Sequence, residues 1–286
     1  MNAADLPQAI AAVDSTGWRA RLELGFERRG PRTVLSRRAH TGPLRVQKAL
    51  YPEGPDLCQA IVVHPPGGIV AGDRLEVDVD VASQANGQIT TPGAAKWYRS
   101  AGESAFVSTH LRVAAGAALE WLPQETLIFD GARADMRTRI ELAGGARYIG
   151  WEVIGLGRTA SGERFSRGRL KHSIELYDDR GLAWCERTVL DGGSAALQSG
   201  AILGGASVFG AIVAAGAAVD DSVLAACRAI ACTGGAAAVT RLPRVFVARY
   251  CGDSTADART HLATIWRVLR PALLGRAAVT PRIWST

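Results

Sequence analysis

The chain has 286 residues, 48% of them hydrophobic and 21% charged, and carries a formal net charge of +6. This composition argues for a folded protein rather than a disordered one, and supports one large domain or two small ones, each with a real core. The positive balance comes from 30 Arg against 3 Lys. There is no basic run and no interleaving of aromatic with basic residues, so no nucleic-acid partner is expected.

Residues 1–16 read as a loose N-terminal leader, and 17–286 as a single β-rich domain, because no long polar linker divides the chain. From Trp18 onward the dominant signal is alternation with period two. Trp18, Ala20, Leu22 and Leu24 share one face. Leu75, Val77, Val79 and Val81 share another, with Glu76, Asp78 and Asp80 opposite. Ala105, Val107, Thr109, Leu111 and Val113 repeat the pattern, as do Thr138, Ile140 and Leu142, then Leu170, His172, Ile174 and Leu176. Short strands separated by glycine-containing turns indicate an all-β body; sandwich, barrel and solenoid all fit this pattern.

Residues 192–219 carry no formal charge, and 201–219 are long enough to span a bilayer. Gly200, Gly204, Gly205, Gly210 and Gly216 make this a poor membrane span. The stretch reads instead as two buried strands, 201–203 and 208–213, joined by a glycine turn. Two helices follow. Asp220 or Asp221 caps one running through roughly Cys232, closed by Gly234 and Gly235. Asp253 or Ser254 caps a longer one with Ala258, Leu262, Ile265, Trp266 and Leu269 on one stripe, broken by Pro271.

The stiffest segment is His64-Pro65-Pro66-Gly67-Gly68-Ile69-Val70-Ala71-Gly72-Asp73, which follows the apolar run Ala60-Ile61-Val62-Val63. Pro65 and Pro66 fix φ, and Gly67, Gly68 and Gly72 permit positive φ and close approach of another backbone. The loop holds an imidazole at one end and a carboxylate at the other. It lacks the ending of a phosphate loop. A second stiff turn, Thr91-Pro92-Gly93-Ala94-Ala95-Lys96-Trp97-Tyr98, comes soon after.

The five His (40, 64, 110, 172, 261) and five Cys (58, 185, 227, 232, 251) are dispersed, without His-x-x-x-His or Cys-x-x-Cys spacing. No tightly bound cofactor or metal is expected. Asp73, Glu120, Glu125, Asp130 and Glu152 remain candidates for weak, transient metal contact. There is no Gly-x-Ser-x-Gly elbow, Ser166 and Cys185 have no readable catalytic partner, and the dinucleotide fingerprint is missing. The odd cysteine count and the lack of signal-peptide features point to the cytoplasm.

Six blocks in order now resemble one family, the urease accessory protein D family (UreD, also called UreH). They are Gly42-Pro43-Leu44-Arg45-Val46-Gln47-Lys48 with Tyr51-Pro52-Glu53-Gly54, the 64–73 loop, the 91–98 turn, Leu119-Glu120-Trp121-Leu122-Pro123-Gln124-Glu125, Trp151-Glu152 with Leu156-Gly157-Arg158, and Pro281-Arg282-Ile283-Trp284-Ser285-Thr286. Relatives often carry a His directly after the cysteine at position 58; this chain has Gln59.

The resemblance implies an all-β dominated fold with a β-helix-like stack of short strands, to which the two predicted C-terminal α-helices add. It implies a non-enzymatic scaffold for urease maturation. Such a scaffold binds the urease apoenzyme subunits and the accessory protein UreF, which recruits the GTPase UreG, and assists nickel delivery; it leaves open a dimeric arrangement within the accessory complex. Asp73, His64, Glu125 and Glu152 would then line a transient nickel passage. Pro65, Pro66, Gly67, Gly68, Lys96, Tyr98, Arg282 and Trp284 would shape the motifs or meet partners. The rival reading is a carbohydrate-active β-solenoid enzyme, which needs two acids facing each other in a groove.

Overall fold

The computed structural model describes residues 17–285; the expected leader, 1–16, lies outside the described residues. The first strands are β1 (Arg19–Arg29), β2 (Arg32–Thr41), β3 (Arg45–Leu50), β4 (Cys58–Val63), β5 (Arg74–Val81) and β6 (Asn86–Thr90). Next come β7 (Ala95–Trp97), β8 (Ala105–Val113), β9 (Ala118–Leu122), β10 (Thr126–Ile128), β11 (Arg133–Leu142) and β12 (Arg147–Leu156). The C-terminal third holds β13 (Arg169–Asp178), β14 (Gly181–Asp191), β15 (Val208–Ala215), α1 (Asp221–Arg228), β16 (Gly235–Arg241), β17 (Val245–Gly252) and α2 (Thr255–Leu274).

The strands form two sheets. One has the order β14-β13-β11-β8-β5-β1-β2 and the other β16-β17-β15-β12-β9-β6-β4-β3. From β4 to β13 the chain alternates between the sheets, and neighbours within each sheet run parallel. This is a β-solenoid-like stack, closed at its ends by antiparallel strands.

The period-two faces become rows that run along the stack. Leu24, Val79, Leu111, Ile140 and Leu176 occupy equivalent positions in five adjacent strands. All five are buried. The acids opposite, Asp78 and Asp80, face outward into ion pairs with Arg21, Arg37 and Arg112.

A short third side closes the coil. Ile69, Trp97, Ile128 and Leu156 bridge one another in parallel register and are all buried. Ile69 N–H donates to the Lys96 carbonyl at 2.7 Å, and Tyr98 N–H donates to the Ile69 carbonyl at 2.9 Å. The 64–73 loop and the 91–98 turn are therefore consecutive corners of one coil.

Four local expectations need correction. Trp18 is 56% exposed and lies just before β1, so the inward row begins at Ala20. Residues 201–203 form turns rather than a strand, because Gly204 and Gly205 take positive φ and their N–H groups turn back to the carbonyls of Ser199 and Leu197. Helix α1 ends at Arg228, well short of Cys232, and Gly235 already opens β16. Pro271 sits inside α2, which runs on to Leu274 and ends at Gly275 in the left-handed conformation. The proline forfeits one helical hydrogen bond, and burial of Leu273 and Leu274 offsets that loss.

Ser254 caps α2, its side chain accepting from Asp257 N–H. The helix covers the outer face of the second sheet, where Gln59, Gln88 and Glu120 form a buried polar row across β4, β6 and β9. Gln59 donates to Gln88 at 2.6 Å, and Gln88 donates to Glu120 at 3.0 Å. From α2, Trp266 Nε1 and Arg270 Nε both donate to Glu120, at 2.7 and 3.0 Å. Arg270 also reaches Glu53 at 2.7 and 2.9 Å. The Arg270 side chain is wholly buried, so every charge in this cluster depends on its partner.

Arg270→Met should leave Glu120 buried without its counter-ion and cost about 3–5 kcal/mol. Thermal and urea unfolding measure this. Asp80→Asn, in the exposed ion pairs of the first sheet, should cost no more than about 1 kcal/mol.

Candidate functional site

The space between the two sheets holds a cavity of about 260 Å³. Leu75, Val77, Val107 and Thr109 form one wall, and Val62 and Trp121 stand opposite. The third side is made by the two corners, with His64, Gly67 and Gly68 from one and residues 91–97 from the other. Pro92, Gly93 and Ala95 are exposed, so the cavity opens to solvent between these corners. Of the described acids, Glu152 alone lines it.

The predicted residues separate into distinct settings. His64 is half-buried at the cavity. Burial pushes its pKa below the ordinary value, against the opposing charge of Asp73, so at neutral pH the imidazole is uncharged and able to coordinate. Asp73 is 3% exposed and its oxygens are committed: Oδ1 accepts from Trp18 N–H at 2.8 Å and Oδ2 from Val70 N–H at 2.9 Å. It pins the start of β1 to the corner loop. Glu125 faces α2 and pairs with Arg259 at 3.1 Å. Glu152 projects inward from β12, accepting from Thr138 Oγ1 at 2.9 Å and meeting His172 Nε2 with its other oxygen. The structure thus brings His64 and Glu152 to one cavity and leaves Glu125 on another face.

Pro65 and Pro66 are exposed on the corner, and Gly67 has φ +76°. Gly68 is needed for a different reason: a Cβ there would lie 2.0 Å from the Tyr98 ring. Tyr98 in turn packs edge-on against Phe129 at 5.2 Å, and Arg158 lies over Phe129 at 4.7 Å. Lys96 is exposed, with its backbone tying the two corners together. At the C-terminus Trp284 docks on its own chain, 5.3 Å from Trp151 and 5.8 Å from Trp266, and its Nε1 donates to Thr90. Arg282 remains exposed.

Comparison with known proteins gives this architecture its place. The model of a family described as UreD urease accessory protein matches residues 18–285. The chain belongs to the UreD urease accessory protein family. Its relatives include a urease accessory protein UreD from Dechloromonas aromatica (strain RCB), 49% identical over 95% of this chain and 96% of the relative. Another, from Azoarcus sp. (strain BH72), is 46% identical over the full length of both. A third, from Pseudomonas savastanoi pv. phaseolicola, is 48% identical over 97% and 99%. Membership implies a role in urease maturation, and these relatives are named as accessory proteins, not enzymes. No helix among the described residues is long and apolar enough to cross a membrane.

Two side-chain groupings are not legible in the sequence. His172 lies in an inward row that the alternation shows, but its partner Glu152 comes from the other sheet, β12, and is not visible until the two sheets face each other. Asp130, a candidate for weak metal contact in the sequence, is instead engaged by its own chain. It accepts from Ser166 N–H, Ser166 Oγ and Arg167 N–H on one oxygen and from the Arg167 guanidinium on the other. Burial opposes its charge, but these donors outweigh burial and hold its pKa at about 2.

Gly68→Ala should lower the melting temperature, and adding Tyr98→Ala should recover part of the loss. Gly67→Ala should cost about 1–2 kcal/mol through backbone strain alone, with no rescue by Tyr98→Ala. Because the Asp130 pKa is depressed on folding, its stabilisation is present above the unfolded value of 3.8 and is lost as pH falls toward about 2. Asp130→Asn should therefore flatten the acid limb of the stability–pH curve in that window.

Proposed function

We propose that this chain is a maturation scaffold that binds the urease apoenzyme and the accessory proteins UreF and UreG, and that the interior cavity carries nickel toward the urease site. The observation that carries this reading is a cavity between the sheets whose lining includes both His64 and Glu152. A neutral imidazole and a carboxylate are donors suited to a borderline divalent ion. Two such donors in a mostly apolar space suit a cargo held weakly and passed on. The apolar walls strip competing ligands from the ion without offering a closed site. The carbohydrate-active alternative needs a second acid facing Glu152; its partners here are His172 and Thr138.

Deletion of the gene should leave urease expressed but poor in nickel when nickel is limiting. A plug variant, Val107→Phe, fills the cavity at a stability cost of about 1–3 kcal/mol. It should still co-purify with urease, UreF and UreG while lowering the nickel content of urease. Metal analysis of purified urease reads the result. Normal nickel content with a folded, co-purifying plug variant rules the passage out.

A further inference from the structure

One inward row of the first sheet ends on a polar group. Leu75, Val107, Met136 and His172 occupy equivalent positions in β5, β8, β11 and β13. The first three line the cavity. His172 is 5% exposed, its Nε2 meets Glu152, and its Nδ1 is buried without a partner. Glu152 reaches the same point from the opposite sheet. Glu152 lines the interior cavity and His172 lines a groove beyond it, with Met136, Arg137 and Thr138 common to both spaces. The Glu152–His172 contact therefore stands in the wall between an inner space and an outer one.

An apolar core gains nothing from this arrangement. A buried nitrogen left unpaired is destabilising, and Leu170, Ile174 and Leu176 show what the same strand uses where only packing is needed. Carboxylate and imidazole together form a donor pair for borderline divalent cations. Thr138 orients the carboxylate by donating to its other oxygen, the supporting contact such a ligand usually has.

We propose that Glu152 and His172 form a transient two-residue site for a borderline divalent cation at the inner end of the cavity. The proposal rests on the reading of the cavity as a nickel route. On binding, the cation takes Oε2 of Glu152 and Nε2 of His172; the proton held between these two atoms leaves to solvent, the neutral imidazole keeps its other proton on Nδ1, and cavity water completes the coordination. Two protein ligands hold the ion loosely enough to release it. Removing the proton bridge also parts the contact that separates the cavity from the groove.

The test titrates Ni²⁺ into the purified full-length chain, with equilibrium dialysis for affinity and nitrogen-resolved NMR of the histidine side chains for location. The His172 signals, assigned by their loss in His172→Gln, should broaden at the lowest nickel concentrations. Glu152→Gln and His172→Gln should each weaken binding by at least about tenfold, with thermal midpoints confirming that both variants fold. Wild-type affinity in a folded Glu152→Gln variant, or early broadening confined to other histidines, overturns the site. The underlying reading fails separately. If both variants lose Ni²⁺ in dialysis while urease acquires nickel normally in cells, the site stands and the passage does not. If the Val107→Phe plug starves urease while Glu152→Gln binds normally, the passage stands and the site does not.

Discussion

The buried guanidinium of Arg270 holds the two ends of this chain together. It lies between Glu120, in the middle of the second sheet, and Glu53, in the loop before β4. These contacts join residues 150 and 217 positions apart. A second link, Arg276 to Asp56, repeats the tie at the end of α2. Burying three charges is unfavourable unless each is matched, so the cluster fixes where α2 can sit. Trp266 follows from that placement, and with it the shelf of Trp266 and Trp151 on which Trp284 rests.

The position of α2 matters for the cavity on the other side of the sheet. Side chains alternate across each strand, so the face that meets α2 and the face that lines the cavity belong to the same residues in turn. Glu120 points to the helix while its neighbour Trp121 lines the cavity. Trp151 stacks under the helix and tail while Glu152 projects inward. The outer cluster and the inner site therefore share a backbone register, and a shift in one strand disturbs both.

The inward rows of β5, β8, β11 and β13 were legible because alternation is local: each residue's face depends only on its neighbours. The family blocks were legible for a similar reason, being short and ordered. What escaped was set by distance or by context. Arg270 looks like an exposed residue beside an apolar stripe until Glu120 and Glu53 arrive from elsewhere in the fold. Pro271 reads as a helix stop when the burial of Leu273 and Leu274 is unknown. Gly68 could be recognised as a necessary glycine, but the reason, the ring of Tyr98 from the next coil, could not. His172 sat in a correctly read strand, but no strand was read around Glu152, and only the facing of two sheets makes them a pair.

The in-register coil also decides where the chain tolerates a change of length. An extra residue inside β5 or β8 would exchange the two faces of that strand, turning Asp78 or Arg112 into the core and Val79 or Leu111 into solvent. The corner around Gly102 is different. Gly102 has open space around it, lies in an exposed turn, and connects β7 to β8 without joining a ladder. Length variation among related chains should thus collect at such corners, leaving the span of each strand unchanged, and a tag or fluorophore inserted there would ride outside the coil.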